Sequence, residues 1–423
     1  MMNYTAFTLD NGLQVVVHED HTSEMAVVNM LYKVGSRNES PGKTGLAHYF
    51  EHLMFSGSRH VPEFDSALER VGGSSNAFTN TDITNYYISL PAINLETALW
   101  LESDRMLYLN LNEPQISTQK QVVTEEFKQR YLNQPYGDAM HHLRRLAFEK
   151  HPYRWPTIGE RIEDIERFEK ADLTDFYRQH YSPDNAILCI AGKVRVEEVK
   201  DKVAHWFGEI PRSLHAIPRP PTEPAQLKKR TSRIAADVPT DALYKVFRIP
   251  GRMDRDYLTC DLITDILSVG RSSVLEQTLI KNGSVFASCQ AYVLGNVDPG
   301  LMVFTGKMEK GVPAEKAEEE LDKVIDRFKH DAFPPNVLQK IKNQAEAMET
   351  FESVSLLGRA MKLAYYAYLG DPSLIQEEFD RKLSISAEEI MEASRSYLRE
   401  DSASVVYYTQ KTDRSVSKTN DYE

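Results

Sequence analysis

The sequence predicts an α+β fold built twice, as two homologous domains that are each a sheet covered by helices. Three observations predict it. At 423 residues the chain is too long for one ordinary core. Short stretches recur in the same order in its two halves, and a proline-rich segment lies between them. The domains are therefore expected at 1–212 and 233–423, joined by a linker at 213–232.

The first half alternates strand and helix signals. Thr5 to His18 reads as a hairpin turning at Asn11-Gly12, a dipeptide that favours two-residue turns. Met25–Val34 is a third apolar strand. A polar loop, Arg37–Thr44, leads to a short helix carrying Leu46, Phe50, Leu53 and Met54 at helical spacing. Phe64–Val71 reads as helix stopped by Gly72-Gly73, and Ser75–Leu90 alternates as paired strands. Helices follow at Leu95–Leu107, Ile116–Leu132, Met140–Glu149 and Leu173–His180, before a closing strand Ala186–Ala191. Pro218-Arg-Pro-Pro-Thr-Glu-Pro224 then interrupts the pattern, as a stiff, extended linker does.

Beyond the linker, Leu31-Tyr-Lys-Val34 recurs verbatim as Leu243-Tyr-Lys-Val246. The helix ending at Gly57 falls on Leu258–Gly270, Gly137-Asp-Ala139 on Gly358-Arg-Ala360, and Tyr181 on Tyr397. One matched tetrapeptide could be chance, but four ordered matches argue for duplication.

The chemistry concentrates at His48-Tyr-Phe-Glu-His52. Two imidazoles one helical turn apart can converge on a zinc ion, with ligand bonds of about 2.0–2.1 Å. Glu51 reaches the same face and can take a proton from a metal-bound water. This H-x-x-E-H order is the inverse of the commoner zincin motif. In the second half the three positions become Asp261, Thr264 and Asp265, so the helix does not need the ligands in order to fold. A third ligand is expected on the helix anchored by Val122 and Val123, with Glu126 preferred over Glu125. The repeat puts Ala347 at the Glu126 position. His141-His142 is a rival source, but adjacent helical residues diverge and cannot share one ion.

Composition excludes other classes. A net charge of −12 without a basic stripe argues against nucleic acid as a partner. No apolar run approaches the roughly 20 residues that span a bilayer. Cys189, Cys260 and Cys289 lack metal spacing and read as reduced core residues in a cytoplasmic protein. The N-terminus shows no secretory signal, and a periplasmic location would require that one had been removed. Gly-Lys-Thr44 lacks the first glycine of a P-loop, because Arg37 stands there.

His48–His52 followed by Leu-Met-Phe-Ser-Gly57 resembles the pitrilysin (M16) family of zinc metallopeptidases, nearest to its short bacterial members and mitochondrial processing peptidase-like proteins. Gly72–Ala77, Val122–Glu126, Pro156-Thr-Ile-Gly159 and Tyr181–Asn185 carry the same resemblance. It implies a zinc endopeptidase with His48, His52 and Glu126 as ligands and Glu51 as general base. It also implies that Asn76, Ala77 and Phe78 lie on a sheet edge where peptides or short unfolded segments add as a strand. Many relatives carry a Glu where this chain has Gln119, which would sit behind the ligands. The family's substrate-gripping Arg and Tyr fall on Leu279 and Phe286, so those donors are missing. The resemblance therefore implies a heterodimer with a homologous non-zinc subunit that supplies the pair, a homodimer being the alternative. In the family, such chains face each other as four domains around a chamber. A non-catalytic structural or chaperone-like subunit is the competing role.

Overall fold

The computed structural model describes residues 2–283, 285–331 and 333–411. In chain order the first elements are β1 (Thr5–Thr8), β2 (Gln14–Glu19), β3 (Met25–Tyr32), α1 (Leu46–Leu53), α2 (Phe64–Glu69), β4 (Ser74–Thr79) and β5 (Thr84–Pro91). Next come α3 (Leu95–Tyr108), α4 (Glu113–Phe127), α5 (Ala139–Ala147), α6 (Ile162–Glu166), α7 (Lys170–His180), β6 (Ala186–Gly192) and α8 (Val196–Phe207). The second half holds β7 (Arg230–Ala236), β8 (Ala242–Ile249), α9 (Tyr257–Ser268), β9 (Phe286–Leu294) and β10 (Gly300–Met308). It ends with α10 (Ala314–His330), α11 (Pro335–Val354), α12 (Leu356–Leu369), α13 (Leu374–Ser384), α14 (Ala387–Tyr397) and β11 (Ala403–Gln410).

The strands form two sheets, ordered β1-β2-β6-β3-β5-β4 and β7-β11-β8-β10-β9. Without β1 the two orders are the same, and in both the closing strand runs parallel to the first, β6 to β2 and β11 to β7. The fold is thus α+β and duplicated, as the repeated stretches predict. β6, Ala-Ile-Leu-Cys-Ile-Ala-Gly, is buried throughout, because a central strand covered on both faces needs apolar residues on both.

The verbatim tetrapeptide is not in equivalent register. Leu31 and Tyr32 end β3, whereas Leu243–Val246 lie near the start of β8. The strands correspond, but the four identical letters fall at their opposite ends. The first hairpin is also looser than an Asn-Gly turn: Thr8 pairs with Gln14, leaving residues 9–13 as the connection. The strand β7 takes up Arg230 to Ser232, the last residues of the segment expected to be linker.

The compact units do not coincide with the halves of the sequence. The first comprises the described residues up to Phe127, with Lys150–Glu223 and Lys342–Ser384; the second comprises Lys128–Glu149, Pro224–Ile341 and the described residues from Ile385. Each unit thereby takes helices from the other half of the chain, the first most of α11 with α12 and α13, the second α5. In the first, α12 seals one sheet face, with Ala360, Leu363 and Ala364 against Val16, Val27, Leu31 and Ile187. In the second, α5 lies against β7, β8 and β11. A core of Leu243, Phe247, Ile263, Phe304 and Leu321 fills the opposite face of that sheet.

Candidate metal centre

The helix α1 packs on β4 and β5 with Leu46, Ala47, Tyr49, Phe50 and Leu53 buried. Its start is fixed by backbone geometry. Gly45 adopts φ 94°, a left-handed conformation that favours glycine, and a Cβ there would lie 2.5 Å from the Ile158 carbonyl oxygen. Gly159, at φ 113°, meets the Thr44 carbonyl from the other side. The Pro156–Gly159 stretch therefore forms the seat on which α1 begins. Glu39 adds a carboxylate cap, accepting from the Gly45 and Ala47 N–H groups at 2.8 and 2.9 Å. Burial raises the Glu39 carboxyl well above its ordinary range, while those two N–H groups pull it back down. Thr44 Oγ1 donates to Asp164 at 2.6 Å and accepts from the Glu160 N–H at 2.7 Å. No sequence signal marked Glu39 or Asp164, because Glu39 lies in a loop and Asp164 on the separate short helix α6, and both reach the start of α1 only through the fold.

Three hydrogen bonds bind α4 to α1 and the turn that follows it, one to α1 and two to Ser56 of the turn. Tyr49 donates to the Ile116 carbonyl at 2.5 Å, Gln115 donates to the Ser56 carbonyl, and Gln119 Nε2 donates to Ser56 Oγ at 3.3 Å. On α4, Val123 is fully buried but Val122 is 45% exposed, so only one of the two expected anchors faces the core. Glu126, one turn on from Val123, is half-buried, whereas Glu125 is exposed. A one-turn π-helix, Lys128–Leu132, follows α4 directly where a continuous α-helix to Leu132 was expected.

This packing brings His48, His52 and Glu126 together, with one ligand atom of each lying within 4.8 Å of the others. Glu126 Oε2 is 3.7 Å from His48 Nε2 and 3.3 Å from His52 Nε2. Tetrahedral ligands at zinc distances are about 3.4 Å apart, so the donor set fits a zinc ion with little adjustment. His48 is buried, and His52 half-buried, leaving an approach from solvent. Among the described residues this is the single His/Cys/Asp/Glu group with such convergence; the rival His141-His142 pair is not part of it. Glu51 is half-buried beside His52, and its charge acts on the buried Tyr86 and Tyr181 hydroxyls, whose pKa values are raised first by burial.

Among the described residues β4 ends its sheet, pairing with β5 alone. Asn76 is exposed on it, Ala77 and Phe78 half-buried. Phe78 packs its ring against the apolar face beneath α12, so its side chain serves the core. In the second unit, Leu279 and Phe286 are 2% and 1% exposed within the core, where neither offers a donor. No described helix is long and apolar enough to cross a membrane.

Comparison with known proteins agrees with the geometry. Residues 14–161 match the family described as Insulinase (Peptidase family M16), and residues 167–345 match the Peptidase M16 inactive domain. The zinc protease PqqE of Helicobacter pylori is 30% identical over 412 residues, spanning 96% of this chain and 92% of that protein. An uncharacterized zinc protease of Bacillus subtilis, YmxG, is 24% identical over 407 residues, 94% of this chain and 96% of its own. The crystal structure of a protease from Helicobacter pylori superposes with a TM-score of 0.92 at 29% identity, covering 97% of this chain and all of that one (100%).

Proposed function

Since the chain belongs to the M16 (pitrilysin) family of zinc metallopeptidases, we propose that it is an endopeptidase for peptides and short unfolded segments, held as an added strand on β4 beside His48, His52 and Glu126. The observation that supports this reading is the convergence of His48 and His52 of α1 with Glu126 of α4, where α1 packs against β4, the last strand of its sheet among the described residues.

Zinc bound by the three side chains would act as a Lewis acid toward the peptide carbonyl and the attacking water. Glu51 accepts the proton of that water and returns it to the leaving amine. The β4 backbone around Asn76, Ala77 and Phe78 supplies main-chain hydrogen bonds, which recognise an extended peptide with little regard for its sequence. Gln119 supports the site through Ser56, holding the turn that follows α1.

A partner completes this reading. Leu279 and Phe286 are core residues, so hydrogen-bond donors for the developing oxyanion come from a homologous non-zinc subunit in a heterodimer. Each missing donor is worth about 10²–10³ in turnover. A cytoplasmic location is part of the same proposal, and the three free cysteines support it. We also retain 1–212, 213–232 and 233–423 as the duplicated halves and their linker, distinct from the compact units.

The test is turnover of a quenched fluorescent peptide by the chain alone and by the chain with a similar protein that lacks H-x-x-E-H but carries the Arg and Tyr. Activity rising by about 10²-fold or more with the partner supports the heterodimer; full activity of the lone chain, as monomer or homodimer, refutes it. Glu51→Gln should keep zinc and lose about 10²–10⁴ in turnover. Unchanged turnover would refute Glu51 as the base. Absence of cleavage under every condition would favour the structural or chaperone-like role.

A further inference from the structure

Arg105 is among the few charged side chains outside the metal centre that are buried as deeply as core residues. Arg105 on α3 is 1% exposed, and its partner Glu102 is fully buried. The pair is joined at Nε–Oε2 2.9 Å and Nη2–Oε1 2.5 Å, while Arg105 Nη1 has no hydrogen-bond partner among the described residues. A buried ion pair with an unsatisfied N–H is a costly way to fill a core, and an apolar pair of similar volume often serves stability better.

The surroundings explain its presence. The guanidinium carbon lies 4.4 Å from the ring centre of Tyr86, 4.7 Å from that of Phe64 and 5.6 Å from that of Phe55. Three rings around one cation form an aromatic box, in which the charge attracts every face. Each ring belongs to a different part of the site. Phe55 follows α1, and its N–H donates to the His52 carbonyl at 3.2 Å. Phe64 opens α2, which packs against β4. Tyr86 lies on β5 opposite Ala77 of β4, and its hydroxyl donates to the Phe50 carbonyl within α1 at 3.2 Å. The side chain of Arg105 is thus the shared contact of the zinc helix, the helix flanking the sheet edge and the strand that carries that edge.

We infer that Arg105 is a positioning residue that sets the register between the metal-binding helix α1 and the peptide-binding edge β4. This rests on the proposed use of β4 as the substrate edge. Without the cation the three rings have no common centre, and α1 and β4 can shift against each other while each stays folded. A peptide would still bind, but its scissile bond would be presented off line, and a misplacement of about 1 Å costs on the order of 10²-fold in rate.

The experiment compares Arg105→Met and Arg105→Lys with the parent chain, in whichever assembly of the parent cleaves a fluorescent peptide. Zinc content, kcat per zinc-loaded chain, and peptide affinity by anisotropy in a Glu51→Gln background are measured together. The expected result for Arg105→Met is full zinc content, peptide affinity within about threefold of the parent, and kcat lower by about tenfold to a hundredfold. Arg105→Lys, which keeps the cation in the box, should recover part of that loss. A general loss of structure would instead lower zinc content and affinity in step with activity, and that outcome overturns the inference. So does a kcat per zinc-loaded chain within twofold of the parent. If Arg105→Met does not fold, Phe64→Leu removes one wall of the box and carries the same expectations. Absence of cleavage by the parent in every assembly would overturn the functional reading itself; parent cleavage with unchanged variants would overturn only the role of Arg105.

Discussion

The seat of α1 makes a sharp prediction for Gly45→Ala. An alanine at φ 94° sits in the left-handed region at a cost of roughly 1–2 kcal/mol. Its Cβ would also lie 2.5 Å from the Ile158 carbonyl oxygen, so the two backbones must separate by about 1 Å to reach ordinary contact. Neither backbone is free to move. Thr44 is held by Asp164 and the Glu160 N–H, and Glu39 holds the Gly45 and Ala47 N–H groups. Strain and displacement together should cost about 2–4 kcal/mol, within the range of strongly destabilising core changes. For a unit of roughly 150–250 residues that lowers Tm by about 5–15 °C. His48 lies one turn further along, and zinc ligands tolerate errors of only about 0.2 Å, so zinc affinity should fall at least about tenfold. Gly42→Ala is the control: Gly42 has φ 81° but nothing within 4 Å of a Cβ, so it meets the backbone strain without the clash. Scanning fluorimetry and zinc competition against a chromophoric chelator read both effects. If Gly45→Ala loses no more stability than Gly42→Ala and keeps its zinc affinity, the backbone-contact reasoning is wrong.

Glu126→Gln should lower zinc affinity by about 100-fold or more, while Glu125→Gln leaves it unchanged, as metal analysis after dialysis against a weak chelator would show; equal losses would remove Glu126 as the ligand. His180, buried at the end of α7 against Phe176, has its pKa pushed down by burial to about 4. The unfolded chain binds that proton near pH 6.5 and the folded chain does not, so stability is retained above about pH 6.5 and lost as pH falls toward 4. The loss is on the order of 3 kcal/mol at saturation. His180→Asn should flatten that part of the pH–stability profile in urea titrations between pH 7 and 4, and an unchanged slope would refute the assignment.

The metal centre was legible because it is local. His48, Glu51 and His52 lie on one helix, where spacing alone decides which side chains share a face. Glu126 was legible by a weaker route, since one of its two supposed anchors, Val122, faces outward, and the buried Val123 alone turns the helix inward. The duplication was legible in the order of its matches, and the sheet orders bear it out. Its most persuasive letters, however, sit at opposite ends of their strands. What could not be read was which surface an amphipathic helix covers. The apolar periods of α5 and α12 say that each must be buried, and nothing in them says that each belongs to a unit built mainly from the other half of the chain.

The second unit shows what separates a metal-binding helix from a structural one. There α9 occupies the place of α1, with Leu258, Cys260, Leu262 and Ile263 buried as a core helix. Among the described residues it begins at Asp256 in a right-handed conformation, with no left-handed glycine before it, and the exposed Asp254 carboxylate accepting the Asp256 N–H at 3.0 Å stands in place of the buried Glu39. The ligands, the left-handed glycine and the buried carboxylate are therefore absent together from the described part of α9's start. A core helix that shifts by a few tenths of an ångström repacks its neighbours at modest cost. A zinc helix that does so loses its ligand geometry. The buried carboxylate at Glu39 and the backbone freedom that Gly45 gives up on folding both cost stability, and the narrow tolerance of the metal site is the physical reason for the first unit to carry them.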